Sequence, residues 1–147
     1  MMKHLFAIVL FSAISAHSAP PMLVTVQEME ASNSAPPPPK PRATPVKDAP
    51  QIELVSPKLP GSVGSPTPIE LKFQATSPSN VKPDSFKALY GTFQIDITKK
   101  LLSVAKVTEA GVQVQEAALP KGKHKILLVV EDSAGRTGNR VIEFEVK

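Results

Sequence analysis

The chain contains no Cys and no Trp, only three His and a single Tyr. Without Cys there is no disulfide framework, no thiol nucleophile, no Cys-ligated zinc and no thiolate-linked lipid anchor. Without Trp, and with Phe73, Phe86, Phe93 and Phe144 all at positions expected to face inward, a carbohydrate platform is not expected. Nor is there a large excess of one charge. The 17 basic against 13 acidic residues give +4. From Asp48 onward the balance is thirteen Lys plus Arg against eleven Asp plus Glu, close to neutral. That is not the basic patch of a nucleic-acid binder. What the chain does have is proline, 16 residues in 147, unevenly spread. Its length suits one ordinary domain, and its 41% apolar and 20% charged fractions are those of a folded chain.

The first eighteen residues have the layout of a secretory signal peptide. Lys3 precedes the apolar run Leu5–Phe11, and small residues follow. The run is too short to span a bilayer, which needs about 20 residues. Ala16 and Ser18 put small residues at the third and first positions before a cut, leaving Ala19 as the new N-terminus. No Cys follows, so a lipoprotein is excluded, and no second apolar stretch is long enough to cross a membrane. The expected location is the periplasm or the exterior.

Residues 19–48 read as a disordered proline-rich linker centred on Pro36-Pro37-Pro38-Pro39-Lys40-Pro41. Proline locks φ and carries no N–H, so this stretch samples extended polyproline II. It reads as a spacer, or as a docking peptide of the Pro-x-x-Pro kind. Ahead of the prolines, Met22–Val26 is a short apolar run, either a stray strand or the disordered start of the mature chain.

From residue 49 to the end the pattern has period two. Ile69, Leu71 and Phe73 alternate with Glu70 and Lys72. Phe86, Ala88 and Tyr90, then Phe93, Ile95 and Ile97, then Val112 and Val114, then Ile142, Phe144 and Val146 do the same. Alternation of this kind marks strands with one face buried. The run from His124 to Val130 is apolar on both faces, which suits a central strand. About seven short strands separated by Gly, Pro and Asp turn signals predict an all-β, immunoglobulin-like antiparallel β-sandwich. Residues 98–106 break the alternation and predict a short helix between sheets. The last two strands pair with Ile126 opposite Phe144, Leu128 opposite Ile142 and Lys125 opposite Glu145. Asp132-Ser133-Ala134-Gly135 opens the loop between them, with Asp132 closing an Asx turn.

Leu119-Pro120-Lys121-Gly122, the strand to Val130, Asp132-Ser133-Ala134-Gly135 and the alternating final strand resemble the closing strands of bacterial immunoglobulin-like domains. Ser56–Val63 followed by Ile69–Phe73 is similar to the first two strands of the periplasmic copper-resistance protein C family. The resemblance covers about residues 49–147 and implies the sandwich scaffold. It does not carry over the antibody-type Cys pair and buried Trp, nor the histidines that copper-binding members bring to the loop before the last strand.

After cleavage at Ser18 a single histidine remains, His124. Flanked by Lys121, Lys123 and Lys125, it is expected in a solvated basic corner rather than as a catalytic base. Cleavage after Ala16 would instead leave His17 as an N-terminal copper ligand, with His124 as its partner. Asp48, Asp84, Asp96 and Asp132 are scattered singly, with no calcium spacing. Glu143 and Glu145 share an outer strand face, where exposed acids are ordinary. The expectation is therefore a non-enzymatic exported module, with no cofactor, that binds or supports another envelope protein. Asp132, Arg136 and Asn139 are its candidate binding loop. A periplasmic copper carrier on the same scaffold is the alternative.

Overall fold

Side chains alternate across a strand, so each period-two run can bury one row and leave the other to solvent. The computed structural model describes residues 19–37 and 45–147. In chain order these form α1 (Val26–Ser34), β1 (Gln51–Ser56), β2 (Ser62–Val63), β3 (Thr67–Gln74), β4 (Val81–Tyr90), β5 (Ile95–Asp96), α2 (Thr98–Leu102), β6 (Ala105–Thr108), β7 (Gly111–Ala117), β8 (Gly122–Asp132) and β9 (Thr137–Val146). One sheet runs β1-β3-β7-β6 and the other β2-β9-β8-β4-β5. All pairings between these strands are antiparallel except β2 with β9. The sandwich read from the sequence is the architecture found. The strand count is nine rather than about seven because two-residue pieces, β2 and β5, edge the second sheet. The expected signal peptide and the centre of the proline run lie outside the described residues.

The core is the inward row of both sheets. Ile69, Leu71 and Phe73 of β3 and Val112 and Val114 of β7 face Phe86, Ala88 and Tyr90 of β4, Ile126, Leu128 and Val130 of β8, and Ile142, Phe144 and Val146 of β9. Each large apolar side chain so buried contributes about 1.5–3 kcal/mol. Phe73 and Phe86 meet across the sheets with ring centroids 5.8 Å apart. The helix expected over 98–106 is α2, which hands over to β6 at Ala105. Strand β8 is central, between β9 and β4, as its two apolar faces require.

Three expectations are corrected. In the last hairpin Ile126 pairs with Ile142, His124 with Phe144, and Lys125 with Glu143. A slip of two residues leaves every side chain on its own face, so the alternation fixes parity and not register. The loop fixes it: Asp132 N–H donates to Arg136 O (3.0 Å) and closes the turn early. Phe93 is the second correction. It is 63% exposed, because the chain leaves β4 at Gly91, with φ at 69°, and turns through Thr92–Gln94 before β5.

The third correction concerns the linker, whose first part is built into the sandwich. Leu23 and Val24 are fully buried, Met29 nearly so, and Leu23 N–H donates to Ala118 O (3.1 Å). Thr25 then starts α1 with a capping box. Its hydroxyl accepts from Glu28 N–H (3.2 Å), and its own N–H donates to Glu28 Oε2 (2.8 Å). The helix seals one end of the sandwich. Thr92 N–H donates to Ser32 Oγ (2.9 Å), Asn33 Nδ2 donates to Lys123 O (3.2 Å), and Glu28 pairs with Lys100 (3.3 Å). Burial of Leu23 and Val24 makes this docking favourable, which proline content alone does not reveal.

Candidate functional site

At the end of the sandwich opposite α1, two loops are joined into one surface. Ser133 N–H donates to Asn80 O (2.7 Å), and Asn80 N–H donates back to Ser133 Oγ (3.1 Å). Behind them Asp132 is fully buried and organises the β8–β9 loop. Its Oδ1 accepts from Ala134 N–H (3.0 Å) and Arg136 N–H (2.9 Å), and its Oδ2 accepts from Arg136 Nε (2.8 Å). Burial by itself raises the Asp132 carboxyl, but the hydrogen bonds and charge of Arg136, with the Ala134 N–H, hold it below its ordinary value. The turn role read from the sequence for Asp132 is thus its geometry. Arg136 also donates to Ser79 Oγ (3.0 Å) and lies 4.0 Å from Asp48. Gly135, at φ 79°, makes the tip.

Of the three candidate loop residues, the structure joins Asp132 and Arg136 and separates Asn139. Asp132 presents nothing to solvent and Arg136 is half-buried, so they shape the loop from within. Asn139 is exposed on the outer face of β9, opposite Val129. The exposed groups at this end are Ser133, Ala134 and Asn80, with Asp84 and Glu109 on a shallow depression and Lys82 paired to Glu131 (2.8 Å). Asn80 and Ser79 escaped the sequence reading as partners of this loop, because nothing in the local pattern ties the turn before β4 to the one after β8.

His124 overturns the solvated basic corner. It is 3% exposed, within the core. Neighbours in a strand point to opposite faces, so Lys123 and Lys125 lie outside while His124 points in. Its Nε2 faces the carbonyl of Pro120 (2.7 Å), which only accepts, so Nε2 carries the proton. Nδ1 is then the acceptor for the Tyr90 hydroxyl at 2.8 Å. The ring packs over Phe144 at 5.5 Å. Burial lowers the His124 pKa below 6.5, against the opposing effect of the Pro120 carbonyl. Burial, with the charge of Glu28, pushes Tyr90 up to about 12. Both ring nitrogens are engaged in structural bonds, which leaves no lone pair for a metal or a substrate proton.

Elsewhere the acids remain scattered. Asp96 accepts from Thr98 N–H (2.8 Å) at the start of α2. Glu143 and Glu145 lie on the outer face as expected, and Glu143 pairs with Lys125 (3.2 Å). Among the described residues no three His, Asp or Glu converge as a metal site, and no helix is long and apolar enough to cross a membrane.

The geometry thus defines a two-sheet antiparallel β-sandwich, sealed by a helix at one end and carrying a preorganised loop pair at the other. No protein-family model matches the chain, and comparisons with curated proteins and with solved structures give no match.

Proposed function

We propose that the protein is a non-enzymatic, exported binding or structural module of the bacterial cell envelope, of the immunoglobulin-like class. One observation carries the reading. The buried polar groups that would suit chemistry, His124, Tyr90 and Asp132, are consumed by internal bonds, while the loop pair at residues 79–80 and 133–136 is tied together by hydrogen bonds and presents its tip to solvent. Rigid loops on a sandwich recognise partners with little ordering cost.

The strand order supports the class. A β1-β3-β7-β6 sheet facing β9-β8-β4, the latter with a short added strand at each edge, matches the order of the ABED and GFC sheets of immunoglobulin folds. Export to the periplasm or beyond rests on the N-terminal sequence pattern. The copper-carrier alternative gains nothing from His124, whose nitrogens are both taken.

The test is a photo-crosslinking residue at Ala134, an exposed loop position, in cells that export the protein. The expected result is an adduct with one envelope protein that a control label at Lys72, on the opposite sheet, does not give. Stoichiometric copper binding by the purified protein, abolished in His124→Ala, would overturn the reading in favour of a metal carrier.

A further inference from the structure

The two outer faces of the sandwich differ in kind. On the four-stranded sheet the outward positions are polar, with Glu53, Glu70, Lys72, Gln74, Lys106 and Gln113. That is the ordinary form of an antiparallel sheet with one face in water. The outer face of the five-stranded sheet carries an apolar band instead. Leu89, Leu127 and Val141 stand level on β4, β8 and β9, with Val129 at the next outward position of β8. Val141 is 48% exposed, and the other three are half-buried.

Beside the band the charges are sorted by strand. Lys123 and Lys125 point outward on β8, and Glu145 and Glu143 stand level with them on β9. A basic row next to an acidic row makes a face that complements itself. A two-fold axis parallel to the strands, midway between β8 and β9, turns the sheet over and lays β8 of one copy on β9 of another at the same level. Lys125 then meets Glu143 of the second copy, Lys123 meets its Glu145, and Leu127 meets its Val141, each contact occurring twice. An axis across the strands through Leu127 would instead set Lys125 on Val129, a charge against an apolar side chain. Charge therefore selects the first axis.

We propose that this face pairs two copies of the chain, with β8 of each copy lying over β9 of the other. The size of the face is sufficient. The 11 residues of β8 run about 35 Å, and the sheet from β4 to β2 is about 14 Å across. Both copies together then bury about 1,000 Å² before side-chain relief is counted, the size at which specific pairs begin. The apolar band forms the centre, and the lysines and glutamates form a polar rim at one end. An axis parallel to the strands also keeps both Asp132 loops at the same end of the pair, so two recognition surfaces face one way. That use of the loops rests on the envelope-module reading; the pairing itself does not.

The test is sedimentation of the purified mature chain over a wide range of concentrations. The natural chain is expected to show a dimer that dissociates on dilution. Lys125→Glu, which sets like charges across the axis twice, should raise the dissociation constant about tenfold or more. Lys125→Glu with Glu143→Lys restores opposite charges and should regain the natural value. Lys72→Glu is the control, because Lys72 stands opposite Glu53 on the other sheet and loses a similar cross-strand pair. It should leave the dimer unchanged. Val141→Asp, at an exposed position, should give a folded monomer, with folding checked by circular dichroism. A natural chain that is monomeric at every concentration overturns the proposal and leaves the face to a different protein. A dimer that survives Val141→Asp, or a double charge exchange that does not regain the natural affinity, also overturns it.

Discussion

The Tyr90 hydroxyl donates to His124 Nδ1 across 2.8 Å inside the core, and His124 Nε2–H donates to the carbonyl of Pro120. This relay links β4, β8 and the turn before β8 at the end that α1 seals. It needs His124 neutral, because only the neutral ring accepts at one nitrogen while it donates at the other.

That requirement gives the protein a pH dependence. The folded-state pKa of His124 lies below the unfolded value of 6.5. Between the two, the unfolded chain binds the extra proton and the folded chain does not, so stability falls as pH drops below about 6.5 and levels off beneath the folded pKa. The slope contributed by one proton is at most about 1.4 kcal/mol per pH unit. Urea unfolding at a series of pH values should show it in the natural chain and not in His124→Gln. A variant that keeps the slope would assign it to another group.

Leu23 tests whether the residues ahead of the prolines belong to the core. It is 1% exposed and packs with Val24 and Met29 over the sandwich end. Leu23→Ala is expected to lower the unfolding free energy by about 2–5 kcal/mol, as for any large-to-small change in a core. A residue in a free linker would change it by less than about 0.5 kcal/mol, which chemical denaturation readily distinguishes.

Gly91 and Gly135 make a controlled pair, since both have φ near the left-handed region, at 69° and 79°. A Cβ on Gly91 would collide with the Ser32 hydroxyl, whereas one on Gly135 meets nothing within 4 Å. Both alanine variants incur a backbone cost of about 1–2 kcal/mol. Only Gly91→Ala should also lift α1, seen as faster hydrogen exchange at Thr92 N–H, which donates to Ser32. Equal exchange in both variants would mean that α1 docks without this contact.

Asp132→Asn should weaken the β8–β9 loop, because the amide turns a donor toward Arg136 Nε, where Oδ2 now accepts. The folded-state pKa of Asp132 is below 3.8. Its stabilising contribution is therefore complete above that value and is lost as pH falls through the folded pKa. Thermal melts should show the variant less stable at neutral pH and its stability falling less on acidification. Unchanged melts would remove Asp132 from the loop's ordering.

Much of the fold was legible because burial in a sandwich is written residue by residue. The alternation at Ile69–Phe73 or Ile142–Val146 states which side chains go inside, and the broken period after Thr98 states where strands give way to helix. The N-terminal helix was partly legible too. Thr25-Val26-Gln27-Glu28 is a capping box in plain sequence, overshadowed by the prolines that follow it. The turn at Asp132-Ser133-Ala134-Gly135 was legible, but the division of labour within its loop was not. Whether Arg136 faces solvent or Asp132 depends on a turn closed by Asp132 itself.

The sequence by itself determined the sandwich, the central place of β8, the break at α2 and the turn at Asp132, because each rests on local period or turn chemistry. Only the tertiary structure decided the hairpin register, the burial of Leu23 and Val24 and the place of His124. Period two is blind to a slip of two. A nine-residue helix has too little intrinsic stability to declare itself without the surface it covers. The lysines beside His124 in the chain point to the other face of the strand, so its chemistry is set by Tyr90 and Pro120, brought to it by folding.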